Sequence, residues 1–110
     1  MDKHKRTKLE ARGWKIGTTA EFLDLTPEEA AFVETKLALS HSLRARRTKQ
    51  QVSQTTLAKR LGSSQSRVAK MEAADPTVTI DLLLRALYAL GATPRDIATA
   101  LRRSGDLMAV

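Results

Sequence analysis

Between Ser40 and Lys70 the chain carries eight basic side chains, Arg44, Arg46, Arg47, Lys49, Lys59, Arg60, Arg67 and Lys70, and no acidic one. Interleaved with them are Gln54, Ser63, Ser64, Gln65 and Ser66, short polar groups that both donate and accept hydrogen bonds. This is a set for recognising a polyanion. The cations neutralise phosphates and release condensed counterions. The rest of the chain has no such bias. Residues 1–12 sum to +3, residues 13–39 to −3 and residues 71–110 to −1, within a formal net charge of +7. A concentrated positive field in one stretch suits nucleic acid better than a generally solvated basic face does.

Other chemistry is poorly supplied. The chain has no cysteine, its acids are scattered, and His4 and His41 have no recognisable partners for metal binding or general-base work. The expectation is that it is not an enzyme and needs no cofactor or metal. One tyrosine and two phenylalanines leave few aromatic faces for stacking unpaired bases, which disfavours an RNA or single-strand binder. No apolar run approaches the roughly 18–20 residues of a membrane span, and the charged N-terminus lacks the apolar core of a signal peptide. A cytoplasmic protein with no membrane partner is expected.

The elements that must position these groups are helices. Gln54 to Glu72 reads as two short helices joined by a turn, with Leu57, Ala58 and Leu61 apolar in the first and Val68 and Met71 in the second. Gly62 falls where a left-handed residue ends the first helix cheaply, and Ser63 and Ser64 follow as caps for the second. A small residue at Ala58 lets the helices cross closely while the larger apolar ones fill the wedge. Upstream, Thr26-Pro27-Glu28-Glu29 is a capping box with proline at the first helical position. It opens a helix predicted to end near Arg47 or Thr48, with Phe32, Leu39 and Leu43 on one stripe and Val33 and Leu37 beside it. Ser53, preceded by Val52, caps the first motif helix. Thr79 caps a helix with Ile80, Leu83, Leu84, Leu87 and Leu90 on its apolar face, closed by Gly91. Thr93-Pro94 starts a last helix with Ile97 and Leu101 that is expected to end at Arg102–Gly105. The fold class is all-α with five helices, and no segment has a convincing strand period.

The organisation predicted is a basic arm over 1–12, a leader over 13–25, a DNA-binding domain over 26–103 and a tail over 104–110. The arm is too polar to pack and either follows DNA phosphates or stays loose. The leader holds Trp14, Ile16, Phe22 and Leu23, too few for a core of its own. It either folds back on the helical body or docks a partner, a role tryptophan favours.

These residues resemble the phage-repressor-like (Xre) helix-turn-helix family. The signature is LRARR, then SQTTLAKRLG, then SSQSRVAKME, then LLLRALYALG, over roughly Leu39 to Leu101. The resemblance implies that Gln65, Ser66, Arg67 and Lys70 face the major groove of double-stranded DNA. Gln54 then binds a phosphate and supports Gln65, and Arg47, Lys49, Arg60 and Ser64 join it on the backbone. It further implies an Arg47–Glu72 bridge that orients the arginine. As an exposed pair that bridge adds only about 0–1 kcal/mol. Loop Ala73–Val78 carries Asp75 in place of the basic residues some relatives have, which argues against minor-groove insertion there. The family binds palindromic sites as homodimers, with the last two helices as the expected dimer surface. The leader is similar to that of HigA-type antitoxins encoded beside RelE-like toxins. A repressor that also neutralises such a toxin through residues 13–39 is therefore the compatible second expectation.

Overall fold

The structure is a computed structural model that describes the backbone of residues 24–108 and the side chains of residues 24–103. The arm, most of the leader with Trp14, Ile16, Phe22 and Leu23, and the last two residues lie outside the described residues. Among those described there are five helices and no strand: α1 (Pro27–Lys49), α2 (Gln54–Leu61), α3 (Gln65–Glu72), α4 (Ile80–Ala89) and α5 (Pro94–Met108). The all-α expectation holds. No described helix is long and apolar enough to cross a membrane.

Each helix starts on the residue type that satisfies its first free N–H groups. Thr26 and Glu29 form the reciprocal box, with both bonds at 3.1 Å. Ser53 accepts from the Thr56 N–H at 3.0 Å, Ser64 from Arg67 at 3.2 Å and Thr79 from Leu82 at 3.3 Å. At α5, Thr93 and Asp96 cap each other, the Asp96 N–H donating to Thr93 Oγ1 at 3.2 Å and the Thr93 N–H to Asp96 Oδ2 at 2.9 Å.

The first four helices share one way of stopping. After α1, the Val52 N–H donates back to the Arg47 carbonyl and the Gln51 N–H to Thr48. The same pair of bonds closes α2 through Ser63 and Gly62, α3 through Asp75 and Ala74, and α4 through Ala92 and Gly91. This six-to-one closure requires a left-handed residue. Gly62 (φ 63°) and Gly91 (φ 87°) supply it without strain, whereas Gln51 (φ 58°) and Ala74 (φ 54°) do so despite a Cβ. The left-handed turn at Gln51 places the end of α1 at Lys49, just past the predicted limit. At α5 the difference is larger, because the helix runs through Ser104 and Gly105 to Met108. An interior glycine costs only about 1 kcal/mol, and among the described residues no left-handed one follows Arg103 to force a stop.

Leu39, Leu43, Leu57, Ala58, Val68, Met71, Val78, Leu83, Ala86 and Leu87 form the buried core, sealed by Leu90 and Ala92. Phe32 does not join it: it is 55 % exposed, and Leu37 and Leu101 are each 38 % exposed. The 23 residues of α1 span roughly 34 Å at 1.5 Å per residue, but among the described residues its buried positions run only from Lys36 to Leu43, and Phe32 continues the Leu39–Leu43 stripe ahead of that stretch. On that helix Lys36 and Ser40 are buried instead.

Candidate nucleic-acid interface

Helix α3 is divided by burial. Val68 and Met71 are inside, and Gln65, Ser66, Arg67 and Lys70 are exposed on the outer face. Ser64, Ser66, Arg67 and Lys70 line one groove of about 170 Å³ together with Thr77 and Val78. Four of the expected contact residues are thus brought together. Lys49 and Arg60 are exposed at the ends of α1 and α2, outside that groove.

Behind this face runs a continuous polar chain. The Arg47 guanidinium donates from Nε to Glu72 Oε2, from Nη2 to Glu72 Oε1 at 3.0 Å, and from Nη1 to the Val52 carbonyl at 2.9 Å. Gln54 Nε2 donates to Glu72 Oε1 at 3.1 Å, and Gln54 Oε1 accepts from Gln65 Nε2 at 2.6 Å. The side chains of Arg47 and Glu72 are only 15 % and 5 % exposed. That corrects the expectation of an exposed pair. The bridge sits where the end of α1, the start of α2 and the end of α3 converge, so neighbouring backbone shields it. Its partial removal from water makes it costlier to break than a surface bridge, because losing one partner leaves the other charge shielded from solvent. The hydrogen bond to Glu72 holds the Arg47 guanidinium above its ordinary pKa despite its burial.

The donor inventory limits what each group can still do. Three of arginine's five N–H groups are committed at Arg47, so it works chiefly as a strut from α1 to α3, with two left for an outside acceptor. Gln65 spends one N–H on Gln54 and keeps the other together with its carbonyl oxygen. A donor and an acceptor thus stay open side by side on that amide. At Ser64 the hydroxyl oxygen accepts the cap bond, and its proton remains available.

Several tertiary partners were not legible in the sequence. Gln50 Nε2 donates to the Leu90 carbonyl at 2.7 Å, tying the end of α1 to the end of α4. Arg46 pairs with Asp96 at 3.3 Å, tying it also to α5. Thr77 enters the groove from the loop and is fixed by Asp75, whose Oδ1 accepts from the Thr77 N–H at 2.8 Å and its hydroxyl at 2.5 Å. Those two bonds hold the Asp75 carboxyl below its usual range, helped by Lys70 and Lys36 and opposed by slight desolvation. His41 is exposed, and among the described residues no group of His, Cys, Asp or Glu is placed to hold a metal ion.

No curated protein and no solved structure matches the chain. The family model for helix-turn-helix domains matches residues 38–100, a span that begins within α1 and takes in the whole of α2, α3 and α4. With more than half of its length matched and its two motif helices crossing over Leu57, Ala58, Val68 and Met71, the chain belongs to the helix-turn-helix domain family.

Proposed function

We propose that the chain is a sequence-specific transcriptional regulator that seats α3 in the major groove of double-stranded DNA and acts as a repressor. The observation that carries this reading is the outer face of α3, where Gln65 is held by Gln54 with one N–H and its carbonyl still open. Glutamine in that state matches the N7 acceptor and N6 donor of adenine. Ser66 and Lys70 lie beside it on bases, and Arg67 reads a base edge or a phosphate. Lys49, Arg60, Ser64, Gln54 and the spare donors of Arg47 take phosphates and set the register.

One recognition helix covers only a few base pairs, so useful specificity calls for a homodimer on a palindromic operator with half-sites about one helical turn apart. Half-buried Leu84 and Ile97 and exposed Leu101, on the last two helices, support those helices as the dimer surface. Base selection from a randomised duplex pool tests the assignment. Gln65→Ala and Lys70→Ala should each relax preference at one position per half-site while circular dichroism stays unchanged. Identical selected sites for both variants and the wild type would sink it.

A second reading is favoured by one observation. Phe32 and Leu37 are exposed on the N-terminal half of α1, which also carries Glu28, Glu29 and Glu34. An apolar and acidic surface there suits a basic protein partner and supports a HigA-type antitoxin that holds a RelE-like toxin through residues 13–39. Phe32→Ser with Leu37→Ser should then abolish capture of a RelE-like toxin and leave DNA binding intact. Undiminished capture by that double variant would count against the surface.

A further inference from the structure

Arg67 borders two concavities and the groove with Lys70 is only one of them. On its other side lies a partly open cleft of about 180 Å³, lined by Leu61, Gly62, Ser63, Arg67, Met71, Leu82 and Arg85. Its polar lining residues are Ser63, Arg67 and Arg85, and its apolar ones are Leu61, Met71 and Leu82. No acid lines it. Among the described residues the two ion pairs are Arg46–Asp96 and Arg47–Glu72, so neither Arg67 nor Arg85 has an anionic partner. Asp81, one turn before Arg85 on α4, is exposed and makes no ion pair within that set.

Arg67 and Arg85 are both exposed, and two cationic side chains lining one concavity with no acid beside them make a local positive field that attracts an anion. Guanidiniums bind phosphate oxygens through paired N–H donors. The volume is below the roughly 300 Å³ at which drug-sized ligand pockets begin. It fits one tetrahedral oxyanion with a small apolar group against Leu61 and Leu82. From these features we infer that the cleft between the motif turn and α4 is a site for a single phosphate-type oxyanion, clamped by Arg67 and Arg85.

The site stands on the cleft's own residues and does not require the DNA reading. Its oxyanion comes either from the backbone of bound DNA, with α4 extending the footprint, or from a free phosphomonoester. In the second case occupancy draws Arg67 away from the α3 groove, and the ligand competes with DNA.

Phenyl phosphate titrated into the full chain, followed by amide and arginine side-chain NMR shifts, tests the site directly. Saturable shifts confined to Ser63, Arg67, Leu82 and Arg85 are expected. Arg85→Gln should weaken this binding by at least about tenfold, the loss of one charge-assisted contact. DNA affinity of the same variant separates the sources. A backbone phosphate predicts weaker binding to every duplex. The affinity lost between 50 and 200 mM salt should then shrink by about 3.5-fold, one counterion's share. A free ligand predicts unchanged salt dependence and phenyl phosphate displacing DNA from the wild type only. Linear, non-saturating shifts together with a salt slope unaltered in Arg85→Gln would overturn the inference. Absence of DNA binding by the wild type would instead refute the regulator reading, and the titration alone would then decide whether the cleft holds an oxyanion.

Discussion

Glu72 is the side chain on which the candidate interface most depends, and Glu72→Ala is the sharpest perturbation of it. Its carboxylate is 5 % exposed and accepts two bonds from Arg47 and one from Gln54. Removing one member of a buried pair costs about 3–5 kcal/mol, because the other charge is left without its partner. That is an upper bound here. Arg47 keeps its bond to the Val52 carbonyl and is 15 % exposed, so water can reach part of the vacated fork. A loss of about 2–3 kcal/mol is expected, equivalent for a domain of this size to a fall in Tm of about 10–20 °C. Thermal and urea unfolding by circular dichroism measure it directly.

Arg47→Ala in the same background distinguishes an interaction from two independent losses. If the pair acts as a unit, the double variant should be less destabilised than the sum of the single ones by about 1.5–3 kcal/mol. Gln54→Ala is the functional control. It leaves the ion pair in place, costs about 1 kcal/mol, and releases Gln65. A Glu72→Ala protein within about 0.5 kcal/mol of wild type, or a strictly additive cycle, would refute the view that this network fixes α3 against α1.

Three further outcomes follow from the same geometry. Gly62→Ala meets no atom within 4 Å, so its cost is the left-handed backbone alone (φ 63°). It should lower stability by about 1 kcal/mol in urea unfolding, and no loss would mean that the turn does not require that conformation. Lys49→Ala and Arg60→Ala should weaken binding to all duplexes alike and each reduce the slope of log affinity against log salt by about 0.9. A change in base preference from either would contradict a backbone role. The Asp96 carboxyl is held below the usual range, first by the Thr93 backbone N–H, then by its hydroxyl, with Arg46 and Arg95 adding to this against slight desolvation. Because folding makes this group more acidic, its stabilisation is fully present above the unfolded value of about 3.9 and fades as pH falls through the lower folded value. Asp96→Asn should therefore make the acid limb of stability against pH shallower, and an unchanged limb would mean that this carboxyl contributes nothing to it.

What could be read in advance was whatever depends on neighbours in sequence. Ser53, Ser64 and Thr79 are caps, Gly62 and Gly91 are left-handed ends, and Leu57, Ala58, Val68 and Met71 are core for local reasons of propensity and period. The Arg47–Glu72 and Gln54–Gln65 contacts were accessible only through resemblance, since nothing in their spacing alone brings residues 25 or 11 apart together. What depends on where the body ends was not legible. Periodicity assigns Phe32 to the right stripe and cannot tell where along α1 burial begins. Gln51 and Ala74 take left-handed turns that composition assigns to glycine. Lys36 is buried although charged, which a lysine's long apolar stem permits and a count of charges does not reveal.

The caps and six-to-one closures around α3 have a consequence for interchangeability. The ends of that helix are set by the Ser64 hydroxyl on one side and the Ala74 turn on the other, and its seating by Val68 and Met71 underneath. The side chains of Ser66, Arg67 and Lys70 contribute to neither. Their identities can be exchanged without moving the helix, whereas Gln65 can change only together with Gln54. If the outer face of α3 reads DNA as proposed, it is therefore a replaceable surface on a fixed mount. Chimaeras that graft another chain's residues at 66, 67 and 70 should inherit its base preference at little cost in stability.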